Sequence, residues 1–370
     1  MQFKKKMMSW MAVGLLVCLV ISLVAVACAA PSPSPSPSPS PSPSPSPSPS
    51  PTPPPADETY NWKLQHTWGA AEGSVFVEFA NSVREMSGGR INIEVFADGE
   101  LVPFEDAPEA TKMGLLDMFQ THPKFISDDI PEGLIESLPF LWKDVDEEMA
   151  VLYELGLEDI YREAFEEKLG VKFIGIGLND SDCMVWTEPF ASLADLKGRK
   201  ASIFPPISNV MTRAGITAEF IDPGDLYVSL ATGVLDGLAW GNARAYYELG
   251  FFEVAPYFQM PSMCPSAFST FSMNKELWDQ LTPDLQSILV NATRVNGTHM
   301  RSTLKAADGE LLLKAIDEWD VKVVTFSDED VAQLTTWAME FLDEVSQKSP
   351  RCKEAVDIVY HALEIFEPSR

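Results

Sequence analysis

The chain has 370 residues, and its 54 acidic side chains outnumber 27 basic ones, which gives a formal charge of −27 at pH 7. Such a negative charge excludes nucleic acid and acidic membrane surfaces as favourable partners. The four histidines show no metal-ligand spacing, and the sequence has no nucleophile elbow, phosphate loop or dinucleotide-binding glycine pattern. We therefore expect no enzyme activity, no cofactor and no metal ion.

Residues 1–27 have the features of an export signal. Lys4, Lys5 and Lys6 precede an apolar run that ends in small residues directly before Cys28. This order is typical of a bacterial lipoprotein signal peptide, which predicts a lipid on Cys28. The alternative is an uncleaved membrane helix, since about 20 apolar residues span a bilayer. The first interpretation predicts an extracytoplasmic protein, anchored to the outer face of the cell membrane or periplasmic.

Residues 28–57 form a linker after the lipidated cysteine. Its Pro-Ser dipeptides run from Pro31 to Ser50 and continue as a proline-rich stretch to Pro55. This composition cannot form a core and favours extended polyproline II. At about 3.1 Å per residue the stretch spans roughly 75 Å. We expect it to hold a folded domain away from the membrane.

Strand and helix patterns alternate through the remaining residues. Predicted strands cover residues 60–66, 91–95, 116–120, 171–177, 200–204, 217–221, 235–241, 267–273 and 321–326. Predicted helices cover residues 74–86, 107–115, 147–153, 158–169, 208–214, 223–232, 282–319 and 354–366, with one more beginning after Ser327. The alternation favours mostly parallel sheets, which bind ligands at the carboxyl ends of their strands. The length suits two α/β lobes that face each other across a cleft.

Three cysteines would remain in the exported domain: Cys183, Cys264 and Cys352. Their spacing matches no metal site. Either two of them form a disulfide outside the cell, or all three are small buried thiols.

The 18 residues from Pro223 to Trp240 are predicted to contain a short helix, a glycine turn and a strand in direct succession. A known family pattern, an acidic-x-Tyr-x-Ala-Leu helix followed by x-Gly-x-Val-Asp-Gly, is matched by Asp225, Tyr227, Leu230, Gly233, Asp236 and Gly237. The chain here resembles the solute-binding proteins of TRAP (tripartite ATP-independent periplasmic) transporters, the dicarboxylate-binding-subunit-like family. Further segments match in order, namely SGGRINIEVFADGEL, SLPFLWKD, SLADLKGRK, FFEVAPYF and MNKELWDQLTPDLQ.

The resemblance implies an α/β, two-lobed periplasmic-binding-protein fold with a long helix that spans both lobes. Lobe I would contain residues 58–177 with 265–304, and lobe II residues 178–264 with 305–370. The implied function is a solute-binding lipoprotein that delivers a small organic solute, organic acids included, to the membrane permease subunits of a TRAP transporter. The alternative is a ligand sensor or scaffold that uses the fold without a transporter.

Three positions depart from the family pattern. Ser202 stands where most relatives have an arginine that binds the ligand carboxylate through two parallel hydrogen bonds. Residues 178–182 lack the family's second frequent arginine. Ala239 replaces a glutamate that helps to bind a metal in some relatives. We therefore expect a solute that need not be a simple carboxylate.

Six side chains are the candidate ligand-binding residues: Trp68, Lys124, Asn179, Ser202, Trp240 and Asn242. The two tryptophans would form cleft walls, Lys124 would supply a compensating cation, and the other three would hydrogen-bond the solute. Arg244 is a substitute cation. The alternatives are tryptophans packed in the core or a loop, a surface lysine, and an asparagine that only caps a turn.

Overall fold

The computed structural model describes residues 58–69, 73–178, 181–219, 221 and 223–366. The predicted signal peptide, Cys28 and the Pro-Ser linker lie outside these residues. Within the described ranges, every helix is too short or too polar to cross a lipid bilayer.

Strands and helices alternate along the described chain. The strands are β1 (Tyr60–Gln65), β2 (Ile91–Phe96), β3 (Met118–Thr121), β4 (Lys172–Leu178), β5 (Cys183–Trp186), β6 (Lys200–Ser202), β7 (Thr217–Glu219), β8 (Gly237–Gly241), β9 (Tyr257–Met260), β10 (Phe268–Met273) and β11 (Lys322–Thr325). The α-helices are α1 (Ser74–Met86), α2 (Ala107–Lys112), α3 (Val145–Tyr153), α4 (Leu157–Ala164), α5 (Ile207–Met211), α6 (Leu226–Ala231), α7 (Ala243–Glu248), α8 (Lys275–Asp279), α9 (Pro283–Trp319), α10 (Asp328–Ser346) and α11 (Pro350–Phe366).

Two sheets form the centres of two lobes. The first has the order β2-β1-β3-β10-β4 and the second the order β11-β9-β5-β8-β6-β7. Most pairs are parallel, but β10 runs antiparallel to β3 and β4, and β5 runs antiparallel to β8 and β9. These are the strands with which the chain enters one sheet directly from the other. Because the chain crosses at the cleft, each of these strands begins at the cleft. The parallel strands of the same sheet end there, so the two kinds of strand run in opposite directions.

The same local turn recurs in both lobes. Gly114 follows α2 and Gly233 follows α6, and both glycines have positive φ values, 76° and 74°. Three residues later, Asp117 accepts a hydrogen bond from the backbone N–H of the neighbouring strand β1, and Asp236 does the same with β6. Only glycine adopts such φ values without strain. This turn is the structure behind the x-Gly-x-Val-Asp-Gly pattern.

Helix α9 connects the two lobes. It has 37 residues and packs against β4 and α1 on the first sheet and against α7 on the second. Its predicted start, with a proline in the first turn, is confirmed. The capping boxes at Ser192 and Ser327 are also present. Near the chain end, α10 packs against α5 and α11 packs against α3 and α4. The division of residues 305–370 between lobes therefore stays a prediction.

Three described cysteines are buried and form no disulfide with one another: Cys183, Cys264 and Cys352. Cys183 begins β5 after the first crossing between the sheets, and Cys264 lies within the second crossing, from β9 to β10. Of the two alternatives that the sequence left open, the structure has the buried thiols.

Candidate functional site

A cavity lies at the edge where strands of the two sheets end. Its volume, counted out to the open mouth, is about 870 Å³. Thr67 and Trp68 follow β1, Lys124 comes shortly after β3, and Asn242 directly follows β8. The carboxyl ends of parallel strands are where open α/β sheets bind ligands. Both lobes therefore contribute side chains to one space.

The antiparallel strands complete the wall. Asp182 immediately precedes β5 and Ala267 immediately precedes β10, and both residues line the cavity. An antiparallel strand places its amino end at the edge where its parallel neighbours have their carboxyl ends. For this reason Asp182 and Ala267, which precede their strands, line the same cavity as residues that follow parallel strands.

A continuous series of rings crosses the cleft. Ring centroids are 6.4 Å apart for Trp68 and His122, and 5.2 Å for His122 and Phe125. The Phe125 ring then contacts Phe204 of the other lobe at 4.9 Å. Phe204 in turn lies 5.6 Å from Trp240. Such separations are those of attractive aromatic pairs, which stabilise by about 0.5–1.5 kcal/mol beyond area burial.

Hydrogen bonds fix the Trp68 indole. Its Nε1–H donates to His122 Nε2 at 3.2 Å, so His122 Nδ1, 3.1 Å from Glu136 Oε1, carries the proton and donates to that carboxylate. The Trp68 backbone N–H donates to His66 Nδ1 at 3.1 Å. Burial lowers the pKa of His66 to about 4, so that ring is neutral at pH 7 and can accept. Trp68 is thus held from both its ring and its backbone.

A buried charge cluster adjoins the ring series. Lys124 Nζ donates to Asp182 Oδ2 at 2.9 Å and to Ser137 Oγ at 3.2 Å, and Glu136 Oε1 lies 3.8 Å away. Burial alone lowers the pKa of Lys124, but the two carboxylates outweigh it and the pKa is raised. Burial likewise raises the pKa of Asp182, and the Lys124 ammonium more than reverses that effect. Both groups are charged at neutral pH.

Asn242 has one satisfied and one unsatisfied side-chain group. Its Oδ1 accepts from the Ala245 N–H at 3.0 Å, which caps α7. The residue is 1% exposed, and its Nδ2 has no hydrogen-bond partner among the described residues. Nearby, Arg244 Nη1 donates to Glu248 Oε2 at 2.6 Å.

Comparisons with known proteins agree with this architecture. The sequence profile of bacterial extracellular solute-binding protein, family 7, matches residues 63–349. The chain belongs to this family. A monocarboxylate 2-oxoacid-binding periplasmic protein from Nostoc sp. is 24% identical over 305 residues, 80% of this chain and 82% of that protein. The resemblance to TRAP solute-binding proteins is therefore confirmed.

Two solved TRAP periplasmic solute-binding proteins share the family 7 fold. One, from Chromohalobacter salexigens with bound (S)-(+)-2-amino-1-propanol, is 24% identical, has a TM-score of 0.75, and matches over 84% of this chain and 98% of its own. The other, from Colwellia psychrerythraea with bound calcium and pyruvate, is 23% identical, has a TM-score of 0.76, and matches over 84% and 96%. The two-lobed α/β fold with a long helix is confirmed.

The structure brings together four of the six candidate residues of this family 7 chain. Trp68, Lys124, Trp240 and Asn242 line the cavity, as does Arg244. Ser202 is buried next to it, where its Oγ accepts from the Ile221 N–H at 3.4 Å, and it is not among the lining residues. Asn179 lies outside the described residues. The ligand-binding roles of all six stay predictions.

Four further residues of the site were not singled out from the sequence: His122, Phe125, Asp182 and Phe204. Each lies within four residues of a strand end, and that shared position was the available signal. Phe204 directly precedes the two prolines that end the segment KGRKASIFPP, and it shares with Ser202 one face of the predicted strand 200–204. It is the phenylalanine, rather than the serine, that reaches the cavity.

The lining residues do not fit a divalent metal ion. Ala239 offers no ligand where some relatives have glutamate. Asp182 is the one carboxylate among the described lining residues, and its Oδ2 is bound by Lys124 Nζ. Across the described ranges, no group of three or more His, Cys, Asp or Glu side chains could hold a metal.

Proposed function

We propose that this family 7 protein is the extracytoplasmic receptor of a TRAP-type secondary transporter and holds one small organic solute between its lobes. The observation that carries this proposal is the cavity at the strand ends, with Trp68 and Lys124 from one lobe and Trp240 and Asn242 from the other. A solute that touches both walls favours the closed arrangement by its differential affinity. The closed form would then dock on the permease subunits.

The ligand-binding roles of Trp68, Trp240, Lys124 and Asn242 are supported by their place in the wall. Flat indole faces suit the apolar body of a small organic molecule, and a few convergent polar groups fix its orientation. For Ser202 we propose an indirect role, since its hydroxyl is bonded to the backbone of Ile221. A serine there leaves more room than the arginine of most relatives.

Replacing Trp240 with alanine tests the receptor role. We expect at least one organic acid, zwitterion or amino alcohol to raise the Tm of the full chain, purified in a mild detergent. Trp240→Ala should weaken binding of that solute roughly tenfold or more, since tryptophans in binding sites are frequent hot spots. Titration calorimetry measures the affinity.

Trp278→Ala is the matched control, because this tryptophan packs at the far end of the first lobe beside Lys172. It should leave the affinity unchanged. Failure of every solute to bind, or equal binding by Trp240→Ala and the wild type, would contradict the proposed site.

We also propose that a lipid on Cys28 anchors the receptor to the membrane. The support is the run of small residues before that cysteine, followed by a polyproline spacer. In a bacterial host, Cys28→Ser should abolish incorporation of labelled fatty acid and release the protein from washed membranes, whereas Ser32→Ala in the linker should not. Continued membrane retention of Cys28→Ser without lipid would instead indicate an uncleaved helix.

A further inference from the structure

The cavity wall contains an ion pair between two protein groups. Lys124 Nζ and Asp182 Oδ2 are 2.9 Å apart, and both residues line the cavity. Glu136 lies behind them with its carboxylate 3.8 Å from the same ammonium. The Lys124 and Glu136 side chains are 6% and 0% exposed, so solvent screens these charges little. The lysine that would compensate for the missing arginine is therefore already neutralised.

The second cation of the wall is also paired. Arg244 binds Glu248 through Nη1. Counted over these five paired groups alone, two cations face three carboxylates, an excess of one negative charge. The formal charge of the whole chain, −27, adds a field of the same sign. A solute with net negative charge is therefore disfavoured, because an unmatched charge in a low-dielectric site is strongly penalised.

Positive charge on the solute finds two kinds of partner. Asp182 contributes a carboxylate whose side chain is 13% exposed and lines the cavity. The indoles of Trp68 and Trp240 line the cavity from opposite lobes. A cation over an indole face is attracted by the ring quadrupole, and the attraction grows when water is excluded.

An acceptor on the solute also finds donors. Asn242 Nδ2 has no partner among the described residues, although Asn242 is 1% exposed. A buried donor without a partner is costly, so a ligand oxygen that accepts from it is favoured. Lys124 has three N–H donors and uses one on Asp182 and one on Ser137. Both donors belong to residues of the same wall.

We propose that the solute is a compact zwitterion. Its cationic group lies against Asp182 and the indole faces, and its carboxylate or carbonyl oxygens accept from Asn242 and Lys124. Such a molecule adds no net charge to the cavity, and its two ends complement the dipole of the Lys124–Asp182 pair. This inference rests on the proposed receptor function and narrows its ligand class.

The test compares solutes of different net charge on the full chain in mild detergent. The probes are ectoine, glycine betaine and L-proline as zwitterions, pyruvate and succinate as anions, and 2-amino-1-propanol as a cation. We expect the best zwitterion to bind at least about tenfold more tightly than either anion, by calorimetry and Tm shift. Tighter binding of an anion or of the amino alcohol than of every zwitterion overturns the ligand class but keeps the receptor function. Absence of any binding contradicts both.

Two variants locate the groups responsible. Asp182→Asn should weaken the best zwitterion about tenfold or more, whereas Asp279→Asn, with the same charge change on an exposed helix, should not. Asn242→Asp keeps the oxygen that caps α7 and removes the Nδ2 donor, and it should also lose about tenfold. If Asp182→Asn does not fold, the affinity of Asn242→Asp and the comparison of solutes still test whether the solute is a zwitterion. Wild-type affinity in a folded Asp182→Asn or Asn242→Asp protein overturns the proposal.

Discussion

Replacing Lys124 with methionine is expected to lower the free energy of unfolding by about 3–5 kcal/mol at pH 7. The lysine is 7% exposed and lies within 4 Å of both Asp182 and Glu136. Methionine conserves much of the volume but leaves two buried carboxylates without their cation. Urea denaturation of the full chain in mild detergent, followed by tryptophan fluorescence, measures the loss.

The loss should depend on pH in a defined direction. In the wild type, burial raises the pKa of Asp182, but Lys124 holds it below the ordinary value. The ion pair therefore stabilises the fold fully above the unfolded pKa of about 3.9. This stabilisation is lost as the pH falls through the lower pKa of the folded state. In Lys124→Met, the largest effect that opposes burial is removed and burial raises that pKa, so protonation relieves the unpaired charge. The deficit against the wild type should therefore narrow as the pH falls from 7 towards 4.

Lys275→Met is the matched control for this pH series. Lys275 forms an exposed pair with Asp279 on α8, and exposed pairs contribute little. Its stability should follow that of the wild type at every pH. A Lys124→Met deficit that is small, or that widens towards acid pH, would show that the cluster is not a buried, charged pair.

Replacing Gly133 with alanine is expected to destabilise the protein by about 1–3 kcal/mol or more and to weaken solute binding. A Cβ at this position would lie 2.1 Å from the Pro123 carbonyl oxygen and 3.2 Å from the Lys124 nitrogen. Both are backbone atoms, which cannot move aside as a flexible side chain can. The segment with His122 and Lys124 must therefore shift, and it carries part of the cavity wall.

Gly309→Ala separates this contact from a general effect of the substitution. Gly309 is exposed within α9, and a Cβ there meets nothing within 4 Å. Alanine is a better helix former than glycine, by about 1 kcal/mol, so the control should be slightly more stable. Thermal unfolding and calorimetric affinity are compared for both variants. Wild-type stability and affinity in Gly133→Ala would mean that the two segments are not in contact.

The parts of the fold that depend on local signals were predictable. The capping boxes at Ser192 and Ser327 involve residues three apart, and the start of α9 is set by a proline in its first turn. The overall two-lobed fold followed from the resemblance. Strand β5 was not predicted, because all four of its residues are buried and it is short, so it lacks the alternation that indicates a strand.

The candidate site was predictable only as far as strand ends were. Trp68 and Asn242 follow predicted strands and Trp240 lies near the end of one, and the structure places the three together. The pairing of Lys124 with Asp182 joins residues 58 positions apart, and no local pattern shows it. Asp182 also precedes an antiparallel strand that was not foreseen. The charge balance of the cavity therefore required the three-dimensional arrangement.

The contact between Phe125 and Phe204 affects how selective such a receptor is among solutes. Because these rings join the lobes directly, a fixed share of the closing free energy comes from the protein itself and is the same for every cargo molecule. A poorly matched solute then needs to supply less binding free energy to close the lobes. Selection between solutes would then depend more on how fast each one dissociates from the closed protein than on whether the lobes close around it.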